Sequence, residues 1–433
     1  MARRMYLRWL NLSTKRNRGS VFIRILISPH ASLFAMPSSR GTAIVLGALI
    51  VLVTACSGTD SKPRLELSTP LPAIAANVLA QRGTIVESKP AQLPDDVMAK
   101  IGQASTVVYR SVSGYDGKAS EVAGTVFVPK GSPPDGGWPV IAYAHVTTGT
   151  TVDCGPSLSA DLRGTASSIA PIVESGFAVA MTDYQGLGHP GGHPYLEPKT
   201  AAFDVIDSVR ALRNVYPNVS TRWLAFGSSQ GGQAAWAANE YAADYGTGLD
   251  FLGSISIAPP ADFTGYAVAA ESETLTPGQI LFMPLIIAGL QVVHPDLQPS
   301  DYLRGVALND QLALTSCTTP EAANKKALFG ELNSAQVRPS SKEAADRLVG
   351  WLKDSALPQR RASGPMFVVN GSLDDVVLPA WVSSAVSRAC EAGDTIIHRE
   401  IADRGHTDVD GGEEMYAWIR DRFTGAEAPS NCP

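Results

Sequence analysis

The sequence predicts an α/β fold in which a mostly parallel central sheet is flanked by helices and interrupted by a helical cap. Strand-like apolar runs alternate with helical stretches from residue 139 to residue 257, the order of a doubly wound parallel sheet. The alternation stops at about 259–363 and resumes from Pro365. About a hundred residues without a strand is far longer than an ordinary loop, so we expect a helical insertion there.

Apolar runs bounded by Gly and Pro predict the individual strands. The run at 139–145 has no polar residue before its end, as expected of a strand that is buried on both faces. The other predicted strands are 105–109, 121–128, 177–182, 223–226, 251–257, 365–370 and 395–401. Helices are predicted at 158–174, 200–216, 230–244, 322–332, 340–356, 379–391 and 413–423.

Composition describes an ordinary globular protein. The chain has 433 residues, of which 45% are hydrophobic and 18% charged, enough to bury a large core. A formal net charge of -6 and the absence of long single-sign charge runs give no reason to expect a nucleic-acid partner. The sequence does not indicate an oligomeric state.

Residues 1–56 are predicted to be a leader, followed by a linker rich in Ser, Pro and Ala at 57–90 and by the α/β domain at 91–433, which includes the cap at about 259–363. Residues 43–53 are all apolar or small, too few to span a membrane comfortably but long enough for the core of a signal peptide. The chain start is open between Met1 and Met36, because Met36 heads a segment that would itself begin a conventional signal peptide.

Val53-Thr54-Ala55-Cys56 resembles a bacterial lipobox, in which the cysteine is lipidated after cleavage. We favour a lipid anchor on Cys56 over a plain secretory signal with a chance cysteine. The protein is then exported, either as a bacterial cell-surface lipoprotein or in secreted form. We expect contact with a membrane only through this anchor.

The remaining four cysteines suit an oxidising compartment. Cys154, Cys317, Cys390 and Cys432 are an even number, for which three pairings are possible, and spacing alone does not choose among them. Four buried thiols are the alternative. No two of these cysteines lie within four residues of each other, so their spacing does not suit zinc.

Ser229 lies in Gly227-Ser228-Ser229-Gln230-Gly231, between a predicted strand and an Ala-rich helix. A serine on such a sharp turn projects its hydroxyl beyond the sheet edge, and the flanking glycines leave room for the backbone. The helix directs its N-terminal N–H groups and the positive end of its dipole at the same place. We predict that Ser229 is a nucleophile rather than part of an ordinary Gly/Ser turn.

A serine nucleophile needs a base, and the base needs an oriented carboxylate. In the α/β-hydrolase arrangement the acid and then the histidine follow the serine, each on a loop after a strand. His406 follows the last predicted strand in a polar loop, whereas the other histidines lie in the leader, too early in the chain or within a strand. Asp374 is the first carboxylate after the 365–370 strand and is favoured over its neighbour Asp375.

The oxyanion donors are predicted from the same arrangement. One is the backbone N–H of Gln230, and the other comes from the loop after the 139–145 strand, where Gly149 is preferred and Thr148 is the alternative.

Two further features of the sequence could suggest a site, but we do not assign them catalytic roles. His189 and His193 have a metal-like spacing, but Pro and Gly between them predict a turn, and Asp183 is interpreted as an organiser of its loop.

Four motifs together resemble one known family. They are the Gly-x-Ser-x-Gly at 227–231, Asp183-Tyr-Gln-Gly-Leu-Gly with a following His193-Pro-Tyr, the Thr-Thr-Gly before Cys154-Gly-Pro-Ser, and the Ala-Pro-Ser-Asn-Cys that ends at Cys432. Over about residues 75–433 the chain resembles the secretory lipases, a family that includes fungal lipase A-type enzymes and actinobacterial homologues.

This resemblance implies an α/β-hydrolase fold with a helical cap, no metal and no other cofactor, and hydrolysis of carboxylic esters of acylglycerols or related lipids. It also implies the disulfides Cys154–Cys317 and Cys390–Cys432. Family members often have His-Gly-Thr-Thr-Gly where this chain has Val146 in place of the first glycine. We expect this β-branched residue to narrow or reshape the oxyanion loop.

The sequence therefore predicts an exported serine esterase or lipase that acts on a lipid ester. The cap is expected to supply the acyl pocket, with the apolar run 280–293 either as its wall or as the core of the cap itself. The alternatives are an acyltransferase or peptidase on the same scaffold, or a surface-tethered binding lipoprotein with an inactive hydrolase fold.

Overall fold

The computed structural model describes residues 65–433. The predicted leader, Cys56 and the first part of the predicted linker lie outside the described residues. Within residues 65–433 the strands are β1 (Ile85–Pro90), β2 (Gln103–Val112), β3 (Ala119–Val128), β4 (Trp138–Ala144), β5 (Ala178–Thr182), β6 (Val219–Ser228), β7 (Asp250–Ile257), β8 (Met366–Gly371) and β9 (Ile396–Ile401).

The helices of the same range are α1 (Ala76–Leu79), α2 (Asp95–Met98), α3 (Ala166–Glu174), α4 (Pro198–Val215), α5 (Gln230–Tyr245), α6 (Thr264–Glu271), α7 (Pro277–Ile280), α8 (Met283–Val293), α9 (Val306–Asn309), α10 (Gln311–Thr315), α11 (Lys325–Glu331), α12 (Lys342–Asp354), α13 (Pro379–Glu391) and α14 (Gly412–Thr424). Among these described helices, none combines the length and the apolar character that a membrane crossing requires.

The strands of the described chain form one sheet in the order β1-β2-β3-β5-β4-β6-β7-β8-β9. The first three strands are antiparallel to their neighbours, and β3 meets β5 antiparallel. From β5 to β9 every neighbouring pair is parallel. The predicted α/β fold with a mostly parallel sheet is confirmed. The carboxyl ends of its parallel strands share one edge, where α/β proteins carry their sites.

The sheet is buried on both faces. Along β6, Trp223 and Ala225 point into one hydrophobic cluster, and Leu224 points into the cluster on the opposite face. Helices α4 and α5 cover the first face, whereas residues of α3 and α14 such as Trp418 cover the second. This double burial is why the strand reads as a continuous apolar run rather than as an alternating one.

The predicted linker at 57–90 is too long, because residues 65–90 pack against the domain. Strand β1 pairs with β2. Leu65 donates its N–H to the carbonyl of Glu391, and Thr69 donates to that of Gln359, both at 3.2 Å. All but the first residue of β1 are exposed, so this edge strand shows no apolar alternation that would predict it from sequence.

The predicted helix at 158–174 is wrong over its first half, because α3 begins at Ala166. Leu162 and Arg163 have φ values of 52° and 53°, and Gly164 has a φ of 85°. A right-handed helix cannot continue through left-handed backbone. The sequence pattern therefore predicts a helix that is too long, because it includes the turn that precedes α3.

The stretch between β7 and β8 holds α6 to α12, as predicted for a helical cap. The chain returns from the cap beside α5. Glu240 of α5 accepts hydrogen bonds from the N–H groups of Gln359 and Arg360, both at 2.9 Å, and Tyr241 donates its O–H to Gln359 Oε1 at 3.0 Å. Burial raises the pKa of Glu240 to about 8, although the two N–H donors oppose that shift.

This buried carboxyl predicts a pH-dependent stability. Glu240 keeps its proton in the folded protein up to about pH 8, whereas in the unfolded chain it ionises near 4.5. Between these values the folded state binds more protons, so the free energy of unfolding falls as pH rises, by at most about 1.4 kcal/mol per pH unit for this group. Above pH 8 the loss is complete.

Glu240→Gln removes this titration, and we expect a flatter profile in urea unfolding between pH 5 and pH 8. Asp135→Asn is the matched control, since Asp135 is exposed and its replacement should retain the wild-type slope. A Glu240→Gln profile as steep as that of the wild type would contradict the assignment.

Candidate active site

Ser229 occupies the turn between β6 and α5 with φ 55° and ψ -123°. Non-glycine residues rarely adopt positive φ, and such strain must be held by surrounding structure. The N–H of Ser229 donates to the carbonyl of Ile257 at 2.8 Å, and its carbonyl accepts from the N–H of Gln233 at 3.1 Å. The turn is thereby fixed to the end of β7 and to the first turn of α5.

Both glycines of the motif are required by close backbone approach. A Cβ on Gly227 would lie 2.1 Å from the carbonyl oxygen of Gly231, and a Cβ on Gly231 would lie 2.0 Å from that of Ala144. The start of α5 therefore packs directly against the end of β4. This contact brings the Ser229 turn beside the loop that follows β4.

The structure brings Ser229, His406 and Asp374 together. His406 Nε2 lies 2.9 Å from Ser229 Oγ, and its Nδ1 lies 2.8 Å from Asp374 Oδ2. The other oxygen of Asp374 accepts from the N–H groups of Val376 and Val377, both at 2.9 Å. Because a carboxylate only accepts, Nδ1 carries the imidazole proton and Nε2 is free to accept the serine proton.

The loops that carry the acid and the histidine are bonded to each other. Ser372 donates its N–H to the carbonyl of Ile401 at 3.0 Å, and Leu373 donates to that of Arg404 at 2.8 Å. A Cβ on Gly371 would lie 2.2 Å from the Arg404 carbonyl oxygen. The side chain of Asp374 is fully buried and that of His406 is 9% exposed, so the hydrogen bond between them is shielded from water.

Asp375, the rival acid, contacts the cap. Its residue is exposed, and its carbonyl accepts from the hydroxyl of Thr276 in the cap at 2.6 Å. The carboxylate lies near Gly278 rather than near the histidine. The structure thus separates two adjacent aspartates that the sequence could rank only by their register after β8.

The predicted oxyanion residues lie on two sides of this turn. Gln230 is the first residue of α5, so its N–H has no partner within the helix. Gly149 packs against the cap side, where a Cβ would lie 2.2 Å from Cys154 Sγ and 2.5 Å from the Thr315 carbonyl oxygen. Thr148, the alternative, has a buried hydroxyl without a hydrogen-bond partner in the described residues.

Val146 does not force an unusual backbone on this loop. Its side chain is 43% exposed, and its φ is not in the positive range. Part of this β-branched residue therefore lies in solvent.

The described structure contains the disulfides Cys154–Cys317 and Cys390–Cys432, the pairing that the family resemblance implied. The first joins the loop after β4 to the cap, and the Asp153 carboxylate beside it accepts from the N–H of Cys317 at 2.8 Å. Burial raises the pKa of Asp153, but hydrogen bonds from Thr151, Thr318 and Cys317 outweigh it and lower the pKa to about 2.

The two histidines with metal-like spacing lie in different surroundings. His189 Nε2 is 3.5 Å from Glu121 Oε2 near the surface, whereas His193 is buried beside Gln230. Among residues 65–433 no group of three or more His, Cys, Asp or Glu side chains is placed to hold a metal ion. Asp183 organises its loop as predicted, because it accepts from the hydroxyl of Ser157 at 2.5 Å.

A small apolar cavity lies between α5 and the cap. Ile286 and Leu290 of α8 line it from the cap, and Gln233, one turn into α5, lines it near the candidate site. Most other apolar side chains of α8 are buried. The run 280–293 therefore forms cap core and also contributes to a cavity wall. The remaining lining residues are Tyr195, Leu196, Phe263, Leu352 and Ser355.

A capped parallel sheet with a serine, a histidine and an aspartate at the ends of its strands is the architecture of an α/β-hydrolase. A sequence model of the family described as "Secretory lipase" matches residues 160–431, well over half of the chain. The chain belongs to the secretory lipase family. It is accordingly a carboxylic ester hydrolase that acts on lipid esters.

Known relatives agree with this assignment. The chain is 22% identical over 374 residues to the secreted triacylglycerol lipase LIP4 of Malassezia globosa, covering 81% of this chain and 79% of that protein. Together with the family, this secreted relative indicates export, and the two disulfides fit an oxidising compartment.

Solved structures share the fold. Candida antarctica lipase A in its closed state superposes with a TM-score of 0.65 at 19% identity, over 84% of this chain and 87% of that chain. The rice cell wall degrading esterase LipA of Xanthomonas oryzae, in a ligand-bound form, gives a TM-score of 0.61 at 17% identity, over 79% and 97% of the two chains.

The two disulfides provide a matched test of the loop after β4. We expect the double replacement Cys154→Ser, Cys317→Ser to lower kcat on a soluble ester about tenfold, less than the loss of a whole oxyanion donor, because Gly149 packs against this bond. The control, Cys390→Ser with Cys432→Ser, should lose stability but retain kcat.

The comparison uses initial rates of ester hydrolysis. These are measured at a temperature at which circular dichroism shows that both variants are folded. Equal losses of kcat in the two variants, or no loss in either, would show that the first disulfide has no special relation to the site.

Proposed function

We propose that the protein is an exported serine hydrolase that cleaves carboxylic esters of lipids with Ser229 as nucleophile, His406 as general base and acid, and Asp374 as the orienting carboxylate. The observation that carries this proposal is the continuous hydrogen-bond chain between them, at 2.9 Å from serine to histidine and 2.8 Å from histidine to aspartate. Its order along the chain is that of the α/β-hydrolases.

In the acylation step, Ser229 Oγ attacks the ester carbonyl carbon while His406 Nε2 takes its proton. The imidazolium that forms is stabilised by the buried carboxylate of Asp374. When the tetrahedral intermediate collapses, the bond to the alcohol oxygen breaks and His406 gives its proton to that oxygen. Water then attacks the acyl-serine with the same histidine as base, and the carboxylic acid and free serine are released.

We assign the stabilisation of the negative charge on the tetrahedral intermediate to two backbone N–H donors. The first is the N–H of Gln230, which the start of α5 leaves unpaired and which the positive end of the helix dipole supports. The second comes from the loop after β4, with Gly149 preferred and Thr148 as the alternative. Such preorganised donors typically contribute a factor of about 100 to 1,000 each to kcat.

A triacylglycerol or a related lipid ester is the proposed substrate. The Malassezia relative carries the name triacylglycerol lipase, and the cap contains the apolar helix α8, which lines a small void beside α5. We assign the acyl chain to this side of the site, beneath the cap at about 259–363. Acyl transfer to another alcohol would use the same acyl-serine, and product analysis with competing alcohols separates it from hydrolysis.

A lipid anchor on Cys56 is proposed for the mature protein, as in a bacterial cell-surface lipoprotein. The support is Val53-Thr54-Ala55-Cys56 directly after the apolar run 43–53. The mass of the N-terminal peptide of the exported protein separates a diacylglyceryl-cysteine from a plain signal-peptide cleavage, which leaves no lipid.

The triad is tested with p-nitrophenyl esters from short to long acyl chains. We expect Ser229→Ala to lower kcat by about 10⁴-fold or more, and Asp374→Asn by about 10⁴-fold, since the amide would fix the wrong imidazole tautomer. Asp375→Asn is the matched control, and we expect it to keep kcat within about threefold of the wild type because Asp374, not Asp375, bonds His406 Nδ1.

A preference for long acyl chains would support a lipase with an apolar acyl site beneath the cap. Comparable losses in Asp374→Asn and Asp375→Asn, or a folded wild type that cleaves no ester of the series, would refute the proposed triad.

A further inference from the structure

Residues 183–197 contain the Asp-Tyr-Gln-Gly-Leu-Gly and His-Pro-Tyr motifs, to which the triad assigns no role. They connect β5 to α4, and they contact Gln230 and the loop after β4. We refer to residues 183–197 as the bridging loop. Its base is rigid, since Gln185 donates its N–H to Asp204 Oδ2 at 2.8 Å and Ser113 donates its hydroxyl to Gln185 Oε1 at 2.6 Å.

His193 of the bridging loop contacts the residue after the nucleophile. Its Nδ1 lies 2.9 Å from the Gln185 carbonyl oxygen, and its Nε2 lies 3.0 Å from Gln230 Nε2. A carbonyl only accepts, so Nδ1 carries the proton of the neutral ring, and Nε2 must then accept from the Gln230 amide. Burial lowers the pKa of His193 to about 4, which keeps the ring neutral at ordinary pH.

This hydrogen bond holds a buried amide in one orientation. Gln230 is 3% exposed, and within the described part of the chain its Oε1 has no hydrogen-bond partner. Loss of the acceptor nitrogen of His193 would leave both the NH2 group and the oxygen of this buried amide without a hydrogen-bond partner. Buried polar groups without partners are energetically unfavourable. The Gln230 side chain would then move, and its backbone N–H lies at the first position of α5, where no intrahelical bond restrains it.

The same loop also reaches the loop after β4. Tyr195 Oη lies 2.8 Å from Thr147 Oγ1, and Tyr184 donates its hydroxyl to the His145 carbonyl at 3.0 Å. One rigid segment therefore contacts both elements to which the oxyanion donors are assigned. Oxyanion stabilisation depends on donors that are already in place before the charge develops.

We propose that His193 is a positioning residue of the oxyanion hole, which acts by accepting a hydrogen bond from the Gln230 amide, and that Tyr195 positions the opposite loop through Thr147. This inference rests on the proposed function, because it assigns a role relative to the Gln230 N–H. It gives His193 a role in stabilising the transition state rather than in binding a metal ion.

The test compares two amides at position 193. The amide of glutamine reaches the position of imidazole Nε2 and can accept from Gln230, whereas that of asparagine reaches only the position of Nδ1. We expect His193→Asn to lower kcat about tenfold with KM within about twofold, and His193→Gln to recover most of this loss. His189→Asn, at the half-buried histidine of the same loop, is the control and should match the wild type.

A double-mutant cycle separates positioning from a general loss of structure. Gln230→Met removes the amide and should reproduce the loss of kcat seen in His193→Asn, and combining the two replacements should cause no further loss. The pH dependence of kcat/KM should remain unchanged in every variant. If His193→Asn does not fold, the comparison of His193→Gln with Gln230→Met still tests the bond from both sides.

Wild-type kcat in His193→Asn, or losses that simply add in the double variant, would overturn the proposal. Failure of the triad itself gives a different result, since Ser229→Ala would then retain the activity of the wild type whatever happens at position 193.

Discussion

The positive-φ turn at Ser229 is the constraint on which the rest of the site depends. The turn exists because Gly227 and Gly231 let β6, α5 and the end of β4 approach at backbone distance. The Ile257 carbonyl at the end of β7 accepts the Ser229 N–H and resists relaxation of the turn. The strain is thus distributed over the centre of the sheet, where every strand is paired on both sides, and the hydroxyl is held in place before any substrate arrives.

The parallel sheet converts distant sequence positions into neighbours. Ser229 and His406 are separated by 177 residues, yet each follows a parallel strand whose carboxyl end lies at the same sheet edge. The cap is inserted at this edge and is tied down by the Cys154–Cys317 disulfide and by Glu240 at the chain return. The insertion therefore lies at the edge that carries the site and does not interrupt the strands that build it.

The fold and the residues that meet at the site were predictable because each rests on a local pattern. Buried parallel strands give unbroken apolar runs, and the motif around Ser229 has a strand before it and a helix after it. The exposed edge strand β1 and the left-handed turn at Leu162 carry no such pattern, so the sequence does not predict either of them. The hydrogen bond from the Gln230 amide to His193 joins residues 37 positions apart and depends on the tautomer of a buried ring, neither of which a sequence spacing specifies.

The central claim, that Ser229 is the activated nucleophile, is tested most directly by covalent capture. A p-nitrophenyl dialkyl phosphate reacts with an activated serine by losing p-nitrophenol and leaving a dialkylphosphoryl group on the hydroxyl oxygen. Peptide mass spectrometry of the inactivated protein should then find one such group per chain, on the peptide that contains Ser229, in proportion to the activity lost. Labelling of a different residue in step with inactivation, or full ester hydrolysis by protein labelled at Ser229, would contradict the claim.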